Sequence, residues 1–309
     1  MTRPVPVPIT APITAPGTTA AAKPGSEPPH LVVLKIGGSL VSDKRNGRQL
    51  DLDAVDGYAR QIAQLARAHP GRLVLVSGGG APGHRAVLDP DPADPYAVLV
   101  LTEVTFAVKW AWVSALRRLG VPAMPIQVAA LCSESEHGVD LNPGSIGRLL
   151  AAGVVPVLSG DCILSRGGGL RIFGSDEVPA LLVRDEFAPV RVVTLTDVPG
   201  VLTSWDPGAP VLRRVDPLDP EPAFALLWET APWDTSGAMR GKLDALIAHA
   251  RNGAECVIAR GDQDGAGLTH LFEPLDSWPD GLAYTAITRP DPAAAQQRSV
   301  PVPVPASAG

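Results

Sequence analysis

Short apolar segments alternate with longer amphipathic segments over residues 31–288. The apolar segments are rich in β-branched residues and are predicted to be strands, at 31–36, 72–77, 153–160, 191–196 and 255–259. The amphipathic segments carry apolar residues at three- and four-residue steps and are predicted to be helices, at 54–68, 101–119 and 238–251. This alternation is typical of a parallel sheet with helices on both faces. We therefore predict an α/β fold, a three-layer αβα sandwich with a mostly parallel central sheet.

Proline is concentrated at the two ends of the chain. Of the 33 prolines, 13 fall within residues 1–30 and 289–309, where neither helical nor strand periodicity is present. Segments of this composition do not form a packed core, so both are predicted to be disordered Pro-rich tails. Residues 31–288 are enough for one large domain.

Composition excludes several classes of protein. The net charge is −6, and the chain lacks the clustered basic residues that binding to nucleic acid requires. The apolar stretch 98–119 is interrupted by Glu103, Lys109, Arg117 and Arg118, so no membrane span is predicted. The three widely spaced cysteines fit neither a disulfide framework nor a zinc site. We expect a reduced, cytoplasmic protein.

Glycine clusters follow the first two predicted strands, at Gly37-Gly38 and at Gly78-Gly79-Gly80. In parallel α/β sheets, ligands bind at the carboxyl ends of the strands. Successive backbone N–H groups without side chains can form a concavity for an anion there. Neither cluster fits the Walker A or the dinucleotide-binding pattern. Two such clusters with lysines nearby predict a phosphate-binding site.

Six motifs resemble, in order and spacing, those of the amino acid kinase superfamily. They are KIGGS (35–39), SGGGAPGH (77–84), LSGD (158–161), FGSD (173–176), TLTDVPGV (194–201) and DTSGAMRGK (234–242). Within the superfamily, segments 101–109, 233–239 and 242–256 are most similar to the fosfomycin resistance kinases, with the isopentenyl phosphate kinases next. The resemblance covers about residues 31–288. It implies the amino acid kinase fold, with an acceptor lobe at about 31–186 and a nucleotide lobe at about 187–288.

The resemblance implies a cluster of cations around the transferred phosphoryl group. Phosphoryl transfer to a phosphate or phosphonate brings two anions together, so cations and oriented N–H groups are needed to offset the repulsion. Lys35, Lys44 and Lys242, three of the five lysines, are assigned to this role. Asp176 is implied to orient Lys35 and Lys44. It is not expected to act as a base, because the acceptor oxygen is already largely deprotonated near neutral pH.

His84 ends the second glycine loop, in a Gly-Gly-Gly-x-x-Gly-His arrangement. In the superfamily this arrangement marks members whose acceptor is a phosphate or a phosphonate. His84 is therefore implied to hydrogen-bond the anionic group of the acceptor. It completes the implied catalytic set of Lys35, Lys44, His84, Asp176 and Lys242.

Two sets of binding residues follow from the resemblance. The implied ATP-binding set is Lys35, Gly37, Gly38, Ser39, Gly80, Thr196, Asp197, Gly200, Gly237, Ala238 and Lys242. The implied acceptor-binding set is Gly79, Gly80, His84, Gly174, Ser175 and Ser236. Mg²⁺ is expected as a cofactor carried by the ATP phosphates, with no metal ligands on the protein. Three positions depart from the family pattern, namely Pro82, Pro199 and Ser236.

The function predicted from the sequence is ATP-dependent transfer of the γ-phosphoryl group to the phosphonate of fosfomycin, or of a close phosphonate. Thr102, Glu103 and Thr105 are expected to make the acceptor site polar, which favours a small polar substrate. One alternative is an isopentenyl phosphate kinase, which would require an apolar channel beside the acceptor site. The other is a non-catalytic nucleotide-binding sensor. A homodimer paired at a sheet edge is implied by the resemblance alone.

Overall fold

The computed structural model describes residues 28–42, 50–88, 91, 93–136, 138–204, 206, 209–227, 238–261 and 268–289. Apart from residues 28–30 and 289, the two predicted tails lie outside these ranges. The described strands are β1 Leu31–Ile36, β2 Leu73–Ser77, β3 Ala123–Pro125, β4 Cys132–Ser135, β5 Gly138–Leu141, β6 Val155–Ser159, β7 Asp161–Leu164, β8 Leu170–Phe173, β9 Val190–Thr196, β10 Arg214–Val215, β11 Glu255–Arg260 and β12 Tyr284–Ile287. The described α-helices are α1 Leu52–Ala68, α2 Gly80–Ala86, α3 Val100–Arg118, α4 Gly144–Ala151, α5 Glu221–Phe224 and α6 Ala238–Arg251.

Eight strands form one central sheet, in the order β10-β12-β11-β9-β1-β2-β6-β3. Every neighbouring pair in it is parallel except β11 and β12. The hairpins β4–β5 and β7–β8 lie outside this sheet. The prediction of a mostly parallel central sheet is confirmed. Because β1 pairs with β9 along its whole length, one sheet continues through both predicted lobes, and the division into lobes stays a prediction.

Side chains of β1 alternate between two apolar cores. Val32 and Leu34 belong to the core that contains residues of α1 and α3. Leu31 and Val33 belong to the core that contains residues of α4 and α6. A strand covered on both faces is expected to be apolar at almost every position, which explains the sequence LVVLKI. Helices thus cover both faces of the sheet, and the three-layer prediction is confirmed.

The predicted elements differ from the observed ones mainly at their ends. Helix α1 begins at Leu52, two residues before its predicted start, because the Asp51 carboxylate caps it and accepts a hydrogen bond from the amide of Ala54 at 2.9 Å. The unpredicted strands are β3, β10, β12 and the two hairpins, which are two to four residues long. Strands this short do not show a recognisable periodicity.

Helix α3 is long and apolar enough to meet the length and composition criteria for a membrane span. One side of it nevertheless lies in the core: Trp112 is fully buried and donates its indole N–H to the Ser77 hydroxyl at 2.9 Å. On the exposed side, Phe106 and Trp110 are about half exposed. The helix packs against the edge strand β3. Helix α3 is thus a core helix, and the homodimer and the cytoplasmic location stay predictions.

Candidate active site

A cleft of about 460 Å³ opens where β1, β2, β6 and β9 end. Its wall includes the residues that directly follow these strands, namely Gly37, Gly78, Gly160 and Asp197. This is the end of a parallel α/β sheet at which ligands bind. The sheet thus gathers four distant segments of the chain around one cleft.

Two glycine loops of the cleft wall pack backbone against backbone. A Cβ atom on Gly38 would lie 2.6 Å from the nitrogen of Gly80, and one on Gly78 would lie 2.5 Å from the nitrogen of Gly38. Ser42 links the loops, because its hydroxyl donates to the Gly38 carbonyl at 2.8 Å and accepts from the Ala81 amide at 3.0 Å. The loops can approach this closely only because these positions lack side chains.

Lys35 and Asp176 form a charged pair in the cleft. Lys35 lies in β1 just before the first glycine loop, and Asp176 lies in the turn after β8. The Lys35 ammonium donates to the Asp176 carboxylate at 2.6 Å, and the two side chains are 3% and 25% exposed. Burial by itself would raise the pKa of Asp176, but the charges on Lys35 and Lys242 and the Lys35 hydrogen bond hold that pKa below its ordinary value. The carboxylate is therefore ionised and fixes the lysine.

Helix α6 and the end of β9 provide further cleft-lining residues. Lys242 lies in the second turn of α6, and its charge acts on Asp176. Thr196 is buried, and its hydroxyl donates to the Asp197 carboxylate at 3.0 Å. Arg240 also lines the cleft, and its guanidinium lies 4.8 Å from the centroid of the Phe224 ring. Arg240 was not predicted as a site residue from the sequence. Its position two residues before Lys242 could have indicated that it lines the same cleft.

Three apolar residues contribute to the cleft wall near His84. Val87 lies three residues after His84, Leu101 of α3 lies beside Gly83, and Ile172 of β8 also lines the cleft. Thr105 also lines the cleft, but its hydroxyl donates to the Thr102 carbonyl at 3.4 Å. Its methyl group is the part nearest the glycine loop, 3.9 Å from a Cβ built on Gly79. This apolar wall was not predicted from the sequence.

The expectation that Thr102 and Glu103 make the acceptor site polar is wrong. The Thr102 hydroxyl is occupied by the Asp161 carboxylate, at 2.8 Å. Glu103 is exposed, and neither residue is part of the described cleft wall. Adjacent helical positions lie about 100° apart, so Leu101 and Thr105 face the cleft while the residues between them point elsewhere.

A buried polar network lies behind Gly160. The fully buried Asp161 accepts hydrogen bonds from Thr102, from the Gln127 amide at 2.5 Å and from the backbone of Ala129 and Cys162. Lys109, also fully buried, donates to Gln127 at 2.8 Å. Burial lowers the pKa of Lys109 to about 8, against the opposing effect of the Asp161 charge. The network ties α3 to the turn that carries Gly160, which explains the aspartate of the LSGD motif.

Most of the site residues expected from the sequence line this one cleft. They are Lys35, Gly37, Gly38, Ser39, Gly79, Gly80, His84, Gly174, Ser175, Asp176, Thr196, Asp197, Gly200 and Lys242. Ala238 is the first residue of α6, next to Met239 of the cleft wall. Lys44, Ser236 and Gly237 lie outside the described residues. The structure thus brings both glycine loops, His84 and two of the three implied lysines to one place.

Among the residues that the structure describes, no three His, Cys, Asp or Glu side chains are grouped so that they could hold a metal ion. Two carboxylates belong to the described cleft wall, those of Asp176 and Asp197. Asp176 is engaged by Lys35 and Asp197 by Thr196. Both carboxylates are thus engaged by neighbouring side chains, and Mg²⁺ carried by the ATP phosphates stays an expectation.

Comparison with known sequences agrees with this geometry. The profile of the amino acid kinase family matches residues 30–260. The isopentenyl phosphate kinase of Haloferax volcanii is 30% identical over 229 residues, which cover 71% of this chain and 88% of that protein. The enzyme of that name from Methanocaldococcus jannaschii is 26% identical over 235 residues, covering 70% and 86%. Glutamate 5-kinase 1 of Rhizobium meliloti is 28% identical over 265 residues, but this chain spans only 65% of its length.

Comparison with solved structures supports the same fold. A product complex of the T. acidophilum isopentenyl phosphate kinase superposes with a TM-score of 0.61, at 20% identity, over 83% of this chain and 99% of that chain. A substrate complex of an isopentenyl phosphate kinase gives a TM-score of 0.62 at 19% identity, over 83% and 100%. The family profile and the sequence relatives show that the chain belongs to the amino acid kinase family, and it is an ATP-dependent phosphotransferase.

Proposed function

We propose that this chain phosphorylates isopentenyl phosphate, forming isopentenyl diphosphate and ADP. This was the alternative to the fosfomycin kinase predicted first from the sequence. It is supported by the isopentenyl phosphate kinases among the relatives, which this chain matches over most of their length. It is also supported by the apolar residues of the cleft wall near His84.

The observation that carries the proposal is the apolar wall beside His84. An isopentenyl chain is a branched hydrocarbon, and burying it against Val87, Leu101 and Ile172 removes apolar surface from water. Each buried methylene contributes roughly 0.8 kcal/mol. The methyl group of Thr105 adds to this wall, since its hydroxyl is engaged with the helix backbone. A polar acceptor such as glutamate would leave its own polar groups unpaired there.

In the proposed reaction, an oxygen of the acceptor phosphate attacks the γ-phosphorus of ATP. A new P–O bond forms, and the bond from the γ-phosphorus to the β–γ bridging oxygen breaks, so that ADP leaves with that oxygen. The second pKa of a phosphate monoester is about 6, so the acceptor is largely dianionic at pH 7 and no base is required. Because no base is required, we assign Asp176 the role of holding Lys35 in place.

The chain's own residues would act mainly by neutralising and orienting charge. Lys35, fixed by Asp176, would bind the transferred phosphoryl group, and Lys242 the nucleotide phosphates. Backbone N–H groups of the two glycine loops would approach the anions closely. Lys44 and Ser236 remain proposed contributors from outside the described residues.

The remaining roles are divided between the two substrates. Gly37, Gly38, Ser39, Gly80, Thr196, Asp197 and Gly200 would surround ATP, together with Gly237 and Ala238. Gly79, Gly80, Gly174 and Ser175 would surround the acceptor phosphate, to which His84 would donate a hydrogen bond. Mg²⁺ held by the ATP phosphates would neutralise part of their charge.

The acceptor is tested by a competition between three classes of substrate. Purified protein with ATP and Mg²⁺ is given isopentenyl phosphate, fosfomycin or L-glutamate, and the release of ADP is followed. We expect the highest kcat/KM with isopentenyl phosphate. Leu101→Asn, which places an amide in the apolar wall, should lower kcat/KM for isopentenyl phosphate by about 10-fold or more. The buried Leu116 of α3 provides a matched control: Leu116→Asn, in the core 15 residues along the helix from Leu101, should cost stability without a selective loss of this acceptor.

Higher kcat/KM with fosfomycin would overturn the proposal and restore the phosphonate kinase predicted first. A preference for glutamate would overturn it in favour of a carboxylate acceptor. ATP binding without turnover of any acceptor would support the non-catalytic sensor.

A further inference from the structure

No backbone hydrogen bond to the Asp176 carbonyl is described from the segment that follows it. A short 3-10 helix, Val178–Leu181, follows Asp176. In that pattern a carbonyl accepts from the N–H three residues later. For Asp176 this residue is Pro179, which has no N–H. The next amide, that of Ala180, donates to the Glu177 carbonyl at 3.0 Å instead.

His249 of α6 supplies the missing donor. Its Nε2 lies 2.9 Å from the Asp176 carbonyl oxygen, and the residue is 3% exposed. A carbonyl oxygen can only accept, so Nε2 carries the proton. Burial lowers the pKa of His249 below its ordinary value, although the hydrogen bond and the charge of Asp176 oppose this. The ring is therefore neutral at pH 7 and has one fixed tautomer.

His249 and Lys242 lie on the same face of α6. They are seven residues apart, which is about two helical turns. Lys242 lines the cleft, while His249 lies behind the turn and holds its backbone. Helix α6 thus acts on Asp176 at two points, through the charge of Lys242 and through the hydrogen bond from His249.

The same turn is fixed from its other side by Glu177. The Glu177 carboxylate accepts from the amide of Gly174 at 2.8 Å, which closes the turn on itself. That contact lies within the segment and does not connect it to another element. Among the hydrogen bonds described for this turn, the one from His249 is the link to α6.

We propose that His249 is a positioning residue for phosphoryl transfer. It holds the Asp176 turn against α6, so that Asp176, Lys35 and Lys242 keep their mutual geometry when two anionic substrates enter the cleft. The proposal rests on the proposed phosphoryl transfer in this cleft, but not on the identity of the acceptor. The residue touches neither substrate and acts through Asp176.

Two variants separate the hydrogen bond from the packing. His249→Leu removes the donor and keeps a side chain of similar volume, whereas His249→Gln places an amide N–H near the position of Nε2. We expect kcat of His249→Leu to fall by about 10-fold to 100-fold, with smaller changes in KM, because misplacing a reacting group by about 1 Å has effects of this size. His249→Gln should recover most of the loss. Ile247→Ala, at a buried position on a different side of the same helix, should lower the unfolding temperature without this fall in kcat.

A double-mutant comparison tests whether His249 acts through Asp176. In an Asp176→Asn background, His249→Leu should cause little further loss of kcat, because the alignment it maintains is already lost. An equal fold-loss in both backgrounds, or no rescue by His249→Gln, would overturn the proposal.

Amide hydrogen exchange of residues 174–182 provides a readout that does not depend on turnover. It should be faster in His249→Leu than in the wild type and unchanged in His249→Gln. If the wild-type protein phosphorylates none of the acceptors, the proposed function fails. The amide exchange rates then still test the positioning role of His249, and equal rates in all three proteins would overturn that role.

Discussion

Replacing Lys35 with methionine should lower kcat by about 10²-fold to 10³-fold, the size of effect seen when one electrostatic contact to a transition state is removed. Methionine keeps an unbranched side chain of similar length but carries no charge. The substitution also leaves Asp176 without its closest cation, so burial should then raise the pKa of this carboxylate. Steady-state kinetics with saturating ATP and acceptor measures the loss, and thermal unfolding confirms that the variant is folded.

Lys109 provides the matched control for this prediction. It is also buried and also donates a hydrogen bond, but to Gln127 of the network behind the cleft. Lys109→Met should therefore lower the unfolding temperature while it leaves most of kcat. A nearly normal kcat for Lys35→Met, or an equal loss for Lys109→Met, would contradict the role of Lys35.

Replacing Gly38 with alanine should damage both the site and the stability of the protein. The added Cβ would lie 2.6 Å from the Gly80 nitrogen and 2.7 Å from its Cα, so the two glycine loops must move apart. We expect kcat/KM to fall by about 10²-fold, because the loops carry the groups that orient the substrates. Overpacking of this kind costs about 1–3 kcal/mol of unfolding free energy.

Gly147 of α4 provides the control for the change from glycine to alanine. A Cβ there would meet the Phe187 ring at 3.8 Å, an ordinary contact. Alanine is favoured over glycine inside a helix by about 1 kcal/mol, so Gly147→Ala should be neutral or stabilising. Urea unfolding and kcat/KM of both variants test this contrast. Tolerance of alanine at position 38 would show that the loops need not approach so closely.

The sheet could be predicted because its central strands are buried on both faces. The continuous apolar run of β1 and the 3.6-residue periodicity of α1 are direct consequences of their place in the three layers. The short hairpins left no such periodicity in the sequence. The glycine loops were predictable as well, since the end of a parallel strand is where a backbone can meet an anion.

Two parts of the site could not be predicted from the spacing of residues in the sequence. The side of α3 that faces the cleft was misjudged: Leu101 and Thr105 face it, whereas the Thr102 hydroxyl binds Asp161 and Glu103 is exposed. His249 was missed because it binds a backbone carbonyl 73 residues away in sequence. Pro179 was the available signal, since it leaves no amide N–H three residues after Asp176.

We propose that this cleft joins the γ-phosphoryl group of ATP to the phosphate of a prenyl acceptor. Phosphorus NMR of the protein with ATP, Mg²⁺ and isopentenyl phosphate tests this directly. We predict that the monophosphate signal is replaced by the two coupled signals of a diphosphate, in step with the formation of ADP. An unchanged monophosphate signal, or ATP that yields only inorganic phosphate, would contradict the claim.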